Sequence, residues 1–195
     1  IPAVAVIACY SGDLAAGEEV LKPLRAFDSP LVDAIQPMPF PQMQSLLDGA
    51  FPDGNQNYWR STFLREFSDN AIGVLVEHAN RATSPLTAVI VEYYGGAASR
   101  VGVSDTAFAH RQAEYSLVIG TQWTDPGESR RHVEWTRALA DALQCFSSGT
   151  YLLNALSADE GDETIRAAFG PNYNRLMAVK KKYDPANLFR LNQNI

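Results

Sequence analysis

The chain has 195 residues, 46% hydrophobic and 19% charged, with a net charge of −6, which is enough apolar material for one sizeable buried core. Its densest basic run, Lys180-Lys181-Lys182, reads as a solvated helix end set against the helix dipole, and no basic stripe is available for nucleic acid. Two cysteines, Cys9 and Cys145, lie far apart with no C-x-x-C pair, so they leave the redox compartment open.

Taken in chain order, Ile1 to Tyr10 is short, apolar and rich in Val and Ile, and predicts a buried strand with Cys9 in the core. The run is too short to span a membrane, and no basic segment precedes it as in a secretory signal. Beginning directly in that run without Met, the chain reads as a piece of a longer protein. Asp13 or Ser11 can cap a helix running to about Phe27. The segment from Ser29 to Pro41 carries Pro30, Pro37, Pro39 and Pro41 and predicts a connection; Gln42 to Ala50 predicts a short helix with Leu46 and Leu47 inward.

Tyr58 to Phe63 alternates as a strand does. Ser68 predicts the cap of a helix with Ile72, Leu75, Val76 and Ala79 on its apolar face. Leu86 to Tyr94 and Ala113 to Trp123 predict strands, and Asp125-Pro126 opens a long helix to about Leu143. Thr150 to Leu156 predicts a short strand, followed by helices over Asp162 to Phe169 and Pro171 to Lys182, split at Gly170. The order is mixed rather than strict βαβ alternation. It predicts one α+β domain over 1–195 with a largely antiparallel sheet and helices packed mainly on one face.

Dinucleotide, P-loop and nucleophile-elbow signatures are missing, and the three His (His78, His110, His132) have no metal-ligand spacing, so no metal is expected. His78 and His132 are expected at the surface of helices. Glu92 stands in an otherwise apolar strand. It faces either solvent or a cleft, and in a cleft it is a candidate proton acceptor. Tyr93 and Tyr94 point to opposite faces, so only one can share that cleft, and Tyr94 is taken as a substrate contact. Tyr58, Trp59 and Arg60 suit a strand lining a pocket for a small organic substrate, although core packing explains Trp59 equally well. His110 and Arg111 follow a turn. They are either a catalytic histidine beside a substrate-binding arginine or a pair that ties loops together.

The end of the chain is the most specific part. Gly170, Asn172, Tyr173, Arg175 and Leu176, then Lys180, Tyr183, Asp184, Pro185, Asn187, Phe189, Asn192 and Ile195, spell G-x-N-Y-x-R-L and K-x-x-Y-D-P-x-N-x-F-x-x-N-x-x-I. This resembles the closing signature of the berberine-bridge-enzyme-like FAD-linked oxidases. Further matches fall in order: Ala8-Cys9-Tyr10 with Gly12, Pro23-Leu24-Arg25, Pro37-Met38-Pro39-Phe40, Asn57-Tyr58-Trp59, Gly95-Gly96, Phe108-Ala109-His110-Arg111 and Gln122-Trp123.

The resemblance implies a substrate-binding domain with a closing segment from about residue 150. The FAD-binding domain would lie elsewhere in the same protein, and with it the covalent flavin attachment. It implies FAD in the full-length parent and none bound to this chain alone. It also implies oxidation of an alcohol, sugar or related carbon by hydride transfer to flavin. Asn154, Asn192 and Asn194 are then expected at the edge of the flavin site. The family's Y-x-N falls on Leu152 and Asn154, with Tyr151 one residue early. Either a bulge returns Tyr151 to the site as a base, or the base is missing and the chain is a non-catalytic binding module. A domain separated from its partner exposes apolar surface, so a homodimer is a third expectation.

Overall fold

The computed structural model describes residues 3–157, 159–191 and 193–195. They fall into two compact units, Ile1–Pro52 and Asp53–Ile195.

In the first unit, helix α1 (Leu14–Arg25) starts where the Asp13 carboxylate accepts the Ala16 N–H at 3.0 Å, as the sequence predicts. The Tyr10 ring lies against Gly17, where an added Cβ would sit 2.9 Å from Tyr10 Cδ1. Arg25 closes the following loop by donating to the Ile35 carbonyl at 2.6 Å and pairing with Asp33 and Glu18. The predicted strand at the start of the chain is not formed: residues 3–10 carry no ladder, Val4 is 96% exposed and Cys9 is exposed. Apolar β-branched residues favour extended backbone, but a strand exists only with a partner, and none pairs here among the described residues. The predicted helix at 42–50 is shifted and broken into α2 (Phe40–Gln44) and a 3₁₀ turn at Asp48–Ala50, which leaves Leu46 and Leu47 exposed.

The second unit is built on an antiparallel sheet in the order β1 (Gln56–Leu64), β3 (Tyr115–Trp123), β2 (Ala88–Tyr93). Pleating sends alternate residues to opposite faces. Leu64, Leu117 and Ile119 point one way and pack with Trp135, Leu139 and Leu143 of α4 (Ser129–Ala142) and the turn after it. Helix α3 (Asp69–Ala79), capped by Ser68, adds Val74 and Leu75 to this core. The predicted inward Ile72 and Val76 are instead exposed, because the buried stripe runs through Ala71, Val74 and Leu75. The antiparallel sheet with its helix layer is the expected α+β architecture.

His132 is a correction to the expected surface histidine. It is 1% exposed on the inner face of α4, stacked on Trp123 at 5.1 Å, with Nδ1 2.8 Å from the Thr83 hydroxyl. The ring can be buried because that partner arrives from another element.

The segment after α4 runs along the free edge of β1 but is not the predicted strand. Phe63 exchanges two backbone bonds with it, to Thr150 and Ser148 at 3.0 and 2.8 Å. Beyond that point serine hydroxyls take over. Ser61 Oγ accepts the Leu152 N–H at 3.1 Å and donates to the Leu152 carbonyl at 3.2 Å. Ser157 Oγ donates to the Trp59 carbonyl at 2.7 Å and accepts the Trp59 N–H at 3.3 Å. The backbone thereby swings away from the sheet and turns at Leu153–Ala155.

Helices α5 (Asp162–Phe169) and α6 (Tyr173–Tyr183) follow. No helix of the described residues is long and apolar enough to cross a membrane.

Candidate functional site

The face of the sheet opposite α4 carries Trp59, Val118, Ile90 and Glu92, and with the swung-out segment it forms an open cleft of about 700 Å³. Leu152, Asn154 and Ala155 make the wall. Gly120 is what lets the Trp59 ring lie across the sheet: a Cβ there would stand 2.6 Å from Trp59 Cζ3. The Trp59 indole N–H is held by the Asn57 side chain at 3.0 Å.

Glu92 is the carboxylate of the sheet face. Tyr94 stands on the same side one ladder step further, its N–H donating to the Glu114 carbonyl at 2.6 Å. Its ring packs edge-on to Phe63 at 5.6 Å. Burial, then the charge and hydrogen bond of Glu92, push the Tyr94 phenol above its ordinary range.

A second polar cluster clips the wall to the edge of β1. The Tyr58 hydroxyl donates to Asp159 at 3.0 Å and accepts from Arg137 Nε at 3.0 Å, while Arg137 Nη2 pairs with Asp159 at 2.6 Å. Arg60 reaches Asp159 at 3.4 Å and also Glu160, and its guanidinium lies 4.8 Å over the Tyr58 ring. Burial works to raise the Asp159 carboxyl, but the Arg137 and Tyr58 hydrogen bonds and the Arg60 charge outweigh it and hold it below the usual range. Burial pushes the Tyr58 phenol up, with the Arg137 hydrogen bond opposing.

Of the residues singled out in the sequence, Tyr58, Trp59, Glu92 and Asn154 line the cleft, and Tyr94 backs Glu92. Arg60 turns to the Asp159 cluster. Tyr151 is half-buried and is not among the lining residues, whereas Leu152 is. His110 is buried behind Phe63, 5.0 Å from its ring, with Nε2 2.7 Å from the Ala168 carbonyl. Arg111 ties its own loop, donating to Phe108, Ala98 and Thr106 at 3.2, 3.2 and 2.6 Å. Asn194 is exposed, and Asn192 lies outside the described residues. Among the described residues no three His, Cys, Asp or Glu side chains gather as a metal site. Sequence reasoning missed Asp159 and Arg137, which meet Tyr58 from 101 and 79 positions away and leave no local signal.

The closing signature has a physical role in each part. Gly170 takes φ 60° at the end of α5, and a Cβ there would meet Ala109 at 3.1 Å. Asn172 donates to the Val103 and Thr106 carbonyls at 2.8 and 3.1 Å, and Arg175 donates to the Ser104 carbonyl at 2.8 Å, so the signature holds the loop before His110. Lys180 pairs with Asp184, whose carboxylate caps the N–H groups of Leu188 and Phe189 at 2.7 and 3.0 Å. Asn187 turns the chain at φ 52°.

Residues 153–195 match the family model described as Berberine and berberine like. An FAD-linked oxidoreductase of Dictyostelium discoideum is 27% identical over 98% of this chain and 42% of its own length. The uncharacterized FAD-linked oxidoreductase YgaK of Bacillus subtilis is 33% identical over 91% of this chain and 40% of its own length. Among solved structures, berberine bridge enzyme from Eschscholzia californica superimposes with a TM-score of 0.79 at 17% identity, over 94% of this chain and 44% of that one. The 6-hydroxy-D-nicotine oxidase of Arthrobacter nicotinovorans gives 0.73 at 25% identity, over 94% and 42%. The chain spans about two fifths of the length of these curated relatives, 42% and 40%. The closing signature and the similarity over nearly all of this chain together support a berberine-bridge-enzyme-like FAD-linked oxidase fragment.

Proposed function

We propose that this chain is the substrate-binding region of a FAD-dependent oxidoreductase acting on an alcohol, sugar or related carbon. The observation that carries the reading is a glutamate, Glu92, set on the floor of the sheet-face cleft beside the apolar Trp59, Val118 and Ile90. The apolar floor of Trp59, Val118 and Ile90 suits one side of a planar ring such as an isoalloxazine. The cleft lining carries no Lys or Arg for a pyrophosphate, so the rest of the cofactor belongs with the FAD-binding domain of the same protein.

A bound flavin supplies the two-electron acceptor. The chain's own part is the proton. For an alcohol, one hydride and one proton are lost as one carbonyl forms, and Glu92 takes the O–H proton while Trp59 and Asn154 orient the substrate. Residues 1–195 act as one substrate domain, with the closing segment as its seam to the flavin domain. Flavin content is the test. The full-length protein should purify yellow and bleach anaerobically with an alcohol or sugar of the right shape, and a full-length protein that takes up no FAD would sink the reading.

A second reading, a binding module that has lost its chemistry, is favoured by Leu152 and Ala155 on the cleft wall, where the family's tyrosine and aromatic are expected. Leucine cannot move a proton. Full-length protein that loads flavin, binds small alcohols or sugars and is never reduced by them would favour this second reading.

A further inference from the structure

Beneath the cleft-side face of the sheet lies a buried hydroxyl that the fold itself does not use. Ser116 sits directly across from Glu92 in the β2–β3 register, is 0% exposed, and its Oγ has no hydrogen-bond partner. An orphaned hydroxyl of this kind costs free energy unless another state of the protein satisfies it. Directly opposed residues of an antiparallel pair bring their Cβ atoms within about 5.5 Å, so the Glu92 carboxylate is within reach of Ser116 Oγ. Two residues on, the Tyr94 phenol stands on the same face, near enough that the Glu92 charge and hydrogen bonding help to raise it. The Tyr94 side chain is firmly anchored, with its ring wedged between Phe63 at 5.6 Å and Phe108 at 5.8 Å and its backbone pinned to Glu114.

We propose that Tyr94 and Ser116 are positioning residues for Glu92, holding its carboxylate over the cleft floor by one hydrogen bond from each side. The inference rests on Glu92 being the proton acceptor of the proposed reaction. It assigns Tyr94 to the carboxylate rather than to the substrate. It also accounts for a polar Ser116 in a strand whose neighbours Leu117, Val118 and Ile119 are apolar. A carboxylate with two fixed donors loses its rotational freedom before substrate arrives, which is the part of the barrier that geometry can remove.

The test uses the full-length, flavin-loaded protein. Tyr94→Phe keeps the ring that packs on Phe63 and Phe108 and removes only the hydroxyl, so a purely structural role predicts no change. The proposal predicts that Tyr94→Phe and Ser116→Ala each lower kcat by about tenfold with little change in KM, and that Ser116→Thr restores the rate. A readout independent of turnover is the titration of ¹³Cζ-labelled tyrosine, with the Tyr94 signal identified by its loss in Tyr94→Phe. Glu92→Gln should move that titration to lower pH by removing the carboxylate charge. Glu92→Gln inactive while Tyr94→Phe and Ser116→Ala turn over normally would overturn the positioning role and leave the proton acceptor in place. Glu92→Gln fully active would overturn the reading beneath it as well.

Discussion

Glu92 and Tyr94 stand two residues apart on one face of the sheet, and the glutamate adds to burial in raising the tyrosine's phenol. The pair makes a pH prediction, together with Tyr58 at the cleft edge. Both phenols are raised above the ordinary value near 10, chiefly by burial. A folded-state value above the unfolded one gives a contribution to stability that is complete below about pH 10 and is lost as pH rises through the folded values. Urea midpoints measured from pH 8 to 11 should therefore fall at the alkaline end, and Tyr94→Phe should flatten part of that fall.

Gly120→Ala should disturb the cleft floor. The new methyl would stand 2.6 Å from the Trp59 ring, which must tilt off the sheet. The cost expected for such overpacking is about 1–3 kcal/mol. Thermal unfolding gives the stability loss, and a shifted Trp59 fluorescence maximum reports the ring. Unchanged fluorescence would mean that Trp59 is not held by the glycine.

Ser61→Ala should release the cleft wall. The Leu152 N–H and carbonyl both depend on the Ser61 hydroxyl, and leaving them unpaired costs about 1–3 kcal/mol. Amide exchange is the check: the Leu152 amide should lose protection while Ile119, in the middle of the sheet, keeps it.

Asp159 makes the wall acid-sensitive. Its carboxyl is held below the ordinary value near 3.9, so the stability it contributes is present above that value and lost as pH falls through the folded one. Asp159 is 42% exposed, so solvent screens its ion pair with Arg137 and the effect is local to the wall rather than global. Limited proteolysis of the 150–160 segment should accelerate below about pH 4 in the wild type. In Asp159→Asn it should already be fast at pH 7.

What the sequence makes legible follows from how far apart the interacting groups lie. The sheet strands and helices α3 and α4 show themselves through local periodicity and local caps such as Ser68 and Asp125. The closing signature is legible because Lys180, Asp184 and Asn187 act within a few residues of one another. Glu92 is visible as a carboxylate in an apolar strand. The first segment fails because Val4 and Val6 fit a strand only where a partner exists. The wall fails because Ser61 and Ser157 replace a ladder with hydroxyls across 91 and 98 positions. His132 reads as a surface residue among charged neighbours, and it is buried with its Nδ1 met by Thr83, 49 positions away.

Anaerobic reduction of the full-length protein's flavin by an alcohol or sugar, followed in the wild type and in Glu92→Gln, tests the central claim most directly. Glu92→Gln should keep its flavin and its substrate affinity and slow reduction by about 10²–10⁴-fold, the usual loss when a positioned base is removed. Reduction of Glu92→Gln at the wild-type rate would contradict the account.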